Sequence, residues 1–193
     1  MRGLWGKVLA GEVRSPGKFQ LRTLRLIAEL DQQTAAAFEA IVMPRLLGPW
    51  FCKTEDLQAG DVLLQLLGLD AAGLITGVNG FLNFTYSPTG NVDLLLQGRD
   101  LSLFGVGEKG RRVEVNAIYL TPQGEQLAAI AATRTDERRA MDTIIPILKE
   151  NGYRKLLAGK INYPGNATFT EVIWEATPDS STEEAADPGP PQT

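Results

Sequence analysis

Apolar residues recur at helical spacing through the first quarter of the chain and at strand spacing through its middle. Leu4, Trp5, Val8 and Leu9 fall at i, i+1, i+4 and i+5, which predicts a short helix over residues 3–12. Ser15, Pro16 and Gly17 then force a turn. Leu21, Leu24, Ile27 and Ala28 form one stripe of a second helix over about 20–30. Asp31 suits the N-cap of a third helix reaching about Met43, with Ala35, Phe38, Ile41 and Val42 inward and Pro44 at its end.

The pattern changes after Pro44. Residues 48–53 read as a short strand or a buried loop. Asp61 lies near the start of a helix carrying Val62, Leu63, Leu66 and Leu67, and residues 69–75 read as a second short helix or a kinked extension. Strand-like segments follow at 80–86, 92–97 with 100–106, and 111–120, with turns at 87–91 and from Gly105 to Gly110. Thr121 is a natural N-cap, Pro122 suits the first helical position and Glu125 stands close to the capping-box position of a helix using Leu127, Ala128 and Ile130.

Residues 136–151 predict a further helix through Met141, Ile144, Ile145 and Leu148, with Pro146 inside it and Gly152 at its end. Two strands, 153–163 and 167–175, either extend the sheet or form a separate hairpin. After Thr177 the chain is Pro, Ser, Glu, Asp and Ala without periodicity, which reads as a disordered acidic tail. The expected class is α+β: an N-terminal helical hairpin or bundle, then antiparallel β-hairpins, then a C-terminal helix plus hairpin. The expected division is a helical segment over 1–47, a body over 48–177 packed with it as one unit, and the tail over 178–193.

Charge sharpens this picture locally. The net charge of −4 comes from the tail: without Asp179, Glu183, Glu184 and Asp187 the body holds 19 bases and 19 acids. A neutral body lacks the field of a nonspecific nucleic-acid binder. Residues 1–25 nevertheless hold six bases (Arg2, Lys7, Arg14, Lys18, Arg22, Arg25) against Glu12 alone. Arg14, Lys18, Arg22 and Arg25 are therefore candidate contacts for a partner or an anion, set against the plainer alternative of a solvated helical face. Arg99, Lys109, Arg111 and Arg112 are candidate contacts on a hairpin, interleaved with Asp100, Glu108 and Glu114.

Candidate chemistry is thin. With no histidine there is no Ser-His-Asp or Cys-His system and no imidazole metal site, and one cysteine, Cys52, excludes an internal disulfide. No catalytic, cofactor or metal residue is assigned. Gly105-Val-Gly107-Glu-Lys-Gly110 matches a dinucleotide fingerprint as a string, but the alternating Arg111–Tyr119 run predicts that a strand, not a helix, follows it. No apolar run approaches the ~18 residues of a membrane span, and Glu12 and Arg14 interrupt any signal-peptide core, so a cytoplasmic protein is expected.

Two resemblances follow from these residues. Helix, short helix, hairpin, strand and a Leu120-Thr121-Pro-x-Gly124 helix resemble a winged-helix unit over about 60–132, in which Leu-Thr-x-x-Gly commonly opens the helix after the wing. Trp5, Leu9, Ala10, Gly11, Glu12, Pro16, Gly17, Arg22, Thr23 and Leu24 resemble the N-terminal motif of an uncharacterised bacterial family, a domain of unknown function. Leu30-Asp31, Ala35, Phe38, Gly73-Leu-Ile75 and Leu120-Thr-x-x-Gly124 continue that likeness. Members of that family carry sequence before the tryptophan, so an upstream piece or a partner surface is expected to complete the opening hairpin. The resemblance implies no activity and no catalytic residue.

The composition and the resemblances together point away from an enzyme. They favour a noncatalytic binding module of a bacterium, phage or mobile element, acting through protein contacts or oligomerisation, without cofactor and without membrane. A winged-helix DNA-binding regulator, and an enzyme using carboxylate or lysine chemistry, stand as the alternatives.

Overall fold

The computed structural model describes residues 6, 20–98, 100–131, 137–162 and 166–176. The predicted helix over 3–12 and the Pro16-Gly17 turn lie outside them, apart from the helical, exposed Gly6. The fold is α+β, as the periodicity predicts.

Three helical pieces come first. Helix α1 (Leu21–Glu29) buries Thr23 and Ile27 at i, i+4 spacing. Asp31 caps α2 (Gln32–Ala37), its carboxylate accepting from the Thr34 amide at 2.7 Å and the Thr34 hydroxyl at 2.7 Å. Those bonds hold its pKa below the ordinary aspartate range. The single helix expected to run to Met43 changes form at Phe38: a π turn spans Phe38–Val42 and a 3-10 turn spans Met43–Arg45. Pro44 has no amide hydrogen and crowds the carbonyl one turn back, so the ladder cannot continue unchanged. The Met43 amide reaches the Phe38 carbonyl instead, and the Arg45 guanidinium donates to the Ile41 carbonyl at 2.9 Å.

Helix α3 (Gly60–Ala71) continues through the first part of the segment read as a possible second short helix, and Gly73, at φ 73°, ends it in a conformation that favours glycine. Strand β2 (Ile75–Thr76) follows directly. Strands β1 (Trp50–Cys52), β2 and β3 (Asn83–Tyr86) all pair antiparallel with β6 (Val113–Leu120): Phe51 opposite Ile118, Ile75 opposite Leu120, and Thr85 opposite Glu114. These strands make the first sheet. Thr121 caps α4 (Pro122–Ala131), accepting from the Gly124 amide at 3.1 Å and donating to the Gly73 carbonyl at 2.6 Å. A Cβ on Gly124 would collide with the Leu74 carbonyl oxygen, so glycine is required where α4 crosses that segment.

The second sheet runs β4-β5-β7-β8, from β4 (Val92–Leu96), β5 (Ser102–Gly107), β7 (Tyr153–Asn162) and β8 (Asn166–Glu175). The C-terminal hairpin thus extends a sheet by pairing β7 with β5, which decides the choice the sequence leaves open. Gly105 and Gly107, expected in a turn, are strand residues. A Cβ at Gly105 would stand 2.7 Å from Leu95 and 2.9 Å from Tyr153, and one at Gly107 would stand 2.7 Å from Pro88. Before β7, α5 (Glu137–Glu150) turns Met141, Ile144, Ile145 and Leu148 inward, and Gly152 follows it at φ 91°.

The first sheet separates two cores. Phe51, Ile75, Ile118 and Leu120 join Ile27, Phe38, Val42, Leu66, Leu69 and Leu127 on the helical side. Trp50, Cys52, Tyr86, Val113, Val115 and Ala117 join Leu95, Leu103, Tyr153, Leu156 and the inward residues of α5 on the other. Helices cover only one end of β6, so Glu114 and Asn116 are exposed while Ile118 and Leu120 are buried.

Candidate functional site

The basic residues singled out by charge do not gather into one site. Arg14, Lys18 and Arg99 lie outside the described residues. Arg22 and Arg25 are exposed on α1, one turn apart, and among the described residues neither pairs with an acid. Lys109, Arg111 and Arg112 are exposed on the turn between β5 and β6. That turn is tied down. The Gly110 amide donates to the Pro88 carbonyl at 3.4 Å, and the Glu108 amide to the Gly152 carbonyl at 3.3 Å. Arg111 lies 3.7 Å from Glu108 and packs over Gly152, and the Lys109 stem packs over Gly90. Two of the three cations are therefore used in holding three turns together.

A cleft of about 290 Å³ opens where β3 meets β4, lined by Phe84, Thr85, Tyr86, Ser87, Asp93 and Tyr153 among others. Phe84 stacks on Trp50 with ring centroids 4.4 Å apart and stands edge-on to Tyr86 at 4.8 Å. The Tyr86 and Tyr153 hydroxyls are buried without a hydrogen-bond partner among the described residues. Burial pushes Tyr86 above the ordinary phenol range, and burial with the nearby Asp93 charge pushes Tyr153 up to about 12. Both phenols are protonated at pH 7, as an ordinary phenol is, and each hydroxyl can donate a hydrogen bond. Asp93 accepts from the Thr89 amide at 2.9 Å and its hydroxyl at 2.7 Å, which closes the 87–91 turn. Cys52 is raised to about 12 by burial alone, so its thiol is not activated. Among the described residues no group of three histidine, cysteine, aspartate or glutamate side chains could hold a metal ion.

The feature that sequence reasoning missed is the outer face of the second sheet. Gly105 and Leu156 point inward, so their neighbours Phe104, Val106 and Leu157 point outward, and the register carries this face through Val92 and Leu94 on β4 and Val172 and Phe169 on β8. Phe104 and Leu157 are buried at its centre, with the Phe169 ring edge-on to Phe104 at 5.1 Å. Around them Val92 is 46% exposed, Leu94 45%, Phe169 46% and Val172 53%. None of these residues belongs to either core. Periodicity did not reveal the face, because the central strands β5 and β7 carry apolar residues on both sides and alternation marks a face only when the other one is polar.

Comparison with known proteins reaches only the start of the chain. Residues 1–44 match a family model described as a protein of unknown function (DUF2806). No curated protein and no solved structure matches the chain. Inside the matched stretch the described residues have structural roles: Thr23 and Phe38 are buried, Leu30 faces the helical core and Asp31 caps α2. Among the described residues no helix is long and apolar enough to cross a membrane.

Proposed function

We propose that this chain is a noncatalytic binding module that works through protein contacts or oligomerisation. Residues 1–47 and 48–177 act as one unit, since Ile27, Phe38 and Val42 share a core with Phe51 and Ile118. The observation that carries the proposal is the apolar outer face of the second sheet, with four large side chains about half exposed on its two edge strands and the buried Phe104 and Leu157 between them. Scattered apolar residues on a surface are ordinary, whereas contiguous ones mark contact surfaces.

The winged-helix likeness rests on the strand β6 leading through Thr121 into α4. DNA binding through the wing has less support, because Arg111 is paired with Glu108 and Lys109 lies over Gly90.

The test is stability without function at stake. Val172→Ser should leave the unfolding free energy within about 0.5 kcal/mol of the parent, because a contact face contributes little to folding of the free chain. A large loss of stability would show that the face is core and remove the basis of the proposal. Titration with duplex DNA at low salt should give no shift; salt-dependent binding would favour the regulator instead.

A further inference from the structure

We propose that the cleft between β3 and β4 is a site for a small single-ring molecule carrying a carboxamide, whose carbonyl oxygen accepts from the Tyr86 and Tyr153 hydroxyls and whose N–H donates to Asp93. The site goes beyond the protein contacts proposed above and stands apart from the outer face that carries them. What points to a ligand is the pair of phenols. Tyr86 is 7% exposed and Tyr153 2%, both line the cleft, and neither hydroxyl has a hydrogen-bond partner among the described residues. Phenylalanine would place the same ring at either position and leave no polar group unpaired, and a buried unpaired hydroxyl opposes folding. The strands nevertheless seat one of these phenols closely. A Cβ would stand 2.9 Å from the Tyr153 ring at Gly105 and 3.1 Å at Gly107, so two glycines of β5 leave the space that the ring fills. Asp93 lies opposite Gly105 in the β4–β5 ladder and therefore shares its face, which brings the carboxylate to the side of the Tyr153 phenol.

Donors and acceptors select the chemistry. Two hydroxyl donors call for an acceptor on the ligand, and a simple cation would leave both of them unpaired. Asp93 is the one charged residue in the lining among the described residues, so an anion is repelled. Its carboxylate takes two bonds from Thr89, which fix it in place, and has room for about two more, so it can accept from the ligand. A carbonyl beside an N–H meets both demands without net charge. Phe84 and Leu95 supply apolar wall, and Phe84 is held by its stack on Trp50 at 4.4 Å. The volume of about 290 Å³ stands at the lower end of the range for small-molecule sites, which suits one ring and one substituent.

Titration of the full chain with benzamide, followed by protein NMR, tests this. Benzamide should bind with a dissociation constant of about 1 mM or tighter. Benzoate, which meets Asp93, and benzylamine, which offers the phenols no acceptor, should each bind about tenfold more weakly. Tyr86→Phe and Tyr153→Phe should each weaken benzamide about fivefold while keeping the thermal midpoint of the parent, since no partner of either hydroxyl is lost from the free protein. Asp93→Asn should narrow the gap between benzamide and benzoate. Val172→Ser, on the outer face, should leave benzamide affinity unchanged, so this site and the contact face fail separately. The proposal is overturned by no binding of benzamide up to about 10 mM, by equal binding of all three probes, or by an affinity that neither phenylalanine variant moves. A lowered midpoint in both phenylalanine variants also overturns it, because the hydroxyls would then be satisfied in the free protein, by an internal water for example.

Discussion

The two sheets use apolar strands to opposite ends. In the first sheet, β1 and the end of β6 are covered on both faces, by helices on one side and by α5 with the second sheet on the other. In the second sheet one face joins the core, while on the other Phe104 and Leu157 are buried, with Phe169 against Phe104, and Val92, Leu94, Phe169 and Val172 stay about half exposed. Both regions carry large apolar side chains. The difference lies in what covers them among the described residues: α1, α2, α3 and α4 fall on the first sheet, and of these helices α5 alone reaches the second, from inside. Apolar composition therefore measures burial in one sheet and availability in the other.

The sharpest way to break this contrast is to delete apolar bulk from each sheet. Phe51→Ala, inside the two-sided sheet, should cost about 3–5 kcal/mol in urea unfolding, whereas Val172→Ser on the open face should stay within about 0.5 kcal/mol. Equal losses would erase the distinction between the sheets.

A smaller effect tests the inner packing of the second sheet. Gly105→Ala would place a methyl group 2.7 Å from Leu95 and 2.9 Å from Tyr153, so about 1–3 kcal/mol of overpacking is expected, read as a lowered thermal midpoint. The junction of the first sheet with α4 comes next. Thr121→Ala removes the cap on the Gly124 amide and the bond to Gly73, and about 1 kcal/mol should be lost, with fraying of α4 seen by amide exchange.

The smallest effect is on the edge of the second sheet. Arg138 holds the Glu171 carboxyl below the ordinary glutamate value of 4.5. A depressed folded value means that the pair contributes fully above pH 4.5 and loses its contribution as the pH falls through the lowered value. The difference in denaturation midpoint between the parent and Glu171→Gln should therefore shrink on acidification. It should be slight throughout, since both side chains are about half exposed.

Much of the secondary structure was legible because the causes are local. Asp31 capping α2, Thr121 capping α4, Gly152 ending α5 and the strand after Gly110 each depend on residues within a turn of one another. The rejection of a dinucleotide loop at Gly105–Gly110 was legible for the same reason, since β6 follows the loop where a helix would be needed. Local reasoning went astray at Phe38, where Pro44 alters the turn ahead of it, and at Gly105 and Gly107, where glycine answers to Tyr153, Leu95 and Pro88 from other strands.

The candidate surface was out of reach. Charge directed attention to Arg22, Arg25, Lys109, Arg111 and Arg112, and tertiary contacts occupy Lys109 and Arg111 with turn packing. Nothing in the order of residues says that β3 pairs with β6 while β4 leaves for another sheet, or that β7 pairs with β5. The sequence by itself determined the α+β class, the principal helices and strands, and the scarcity of reactive side chains, because periodicity, capping and composition act over a few residues. The tertiary structure alone decided which apolar faces are covered, because that depends on strand order and helix placement between segments distant along the chain.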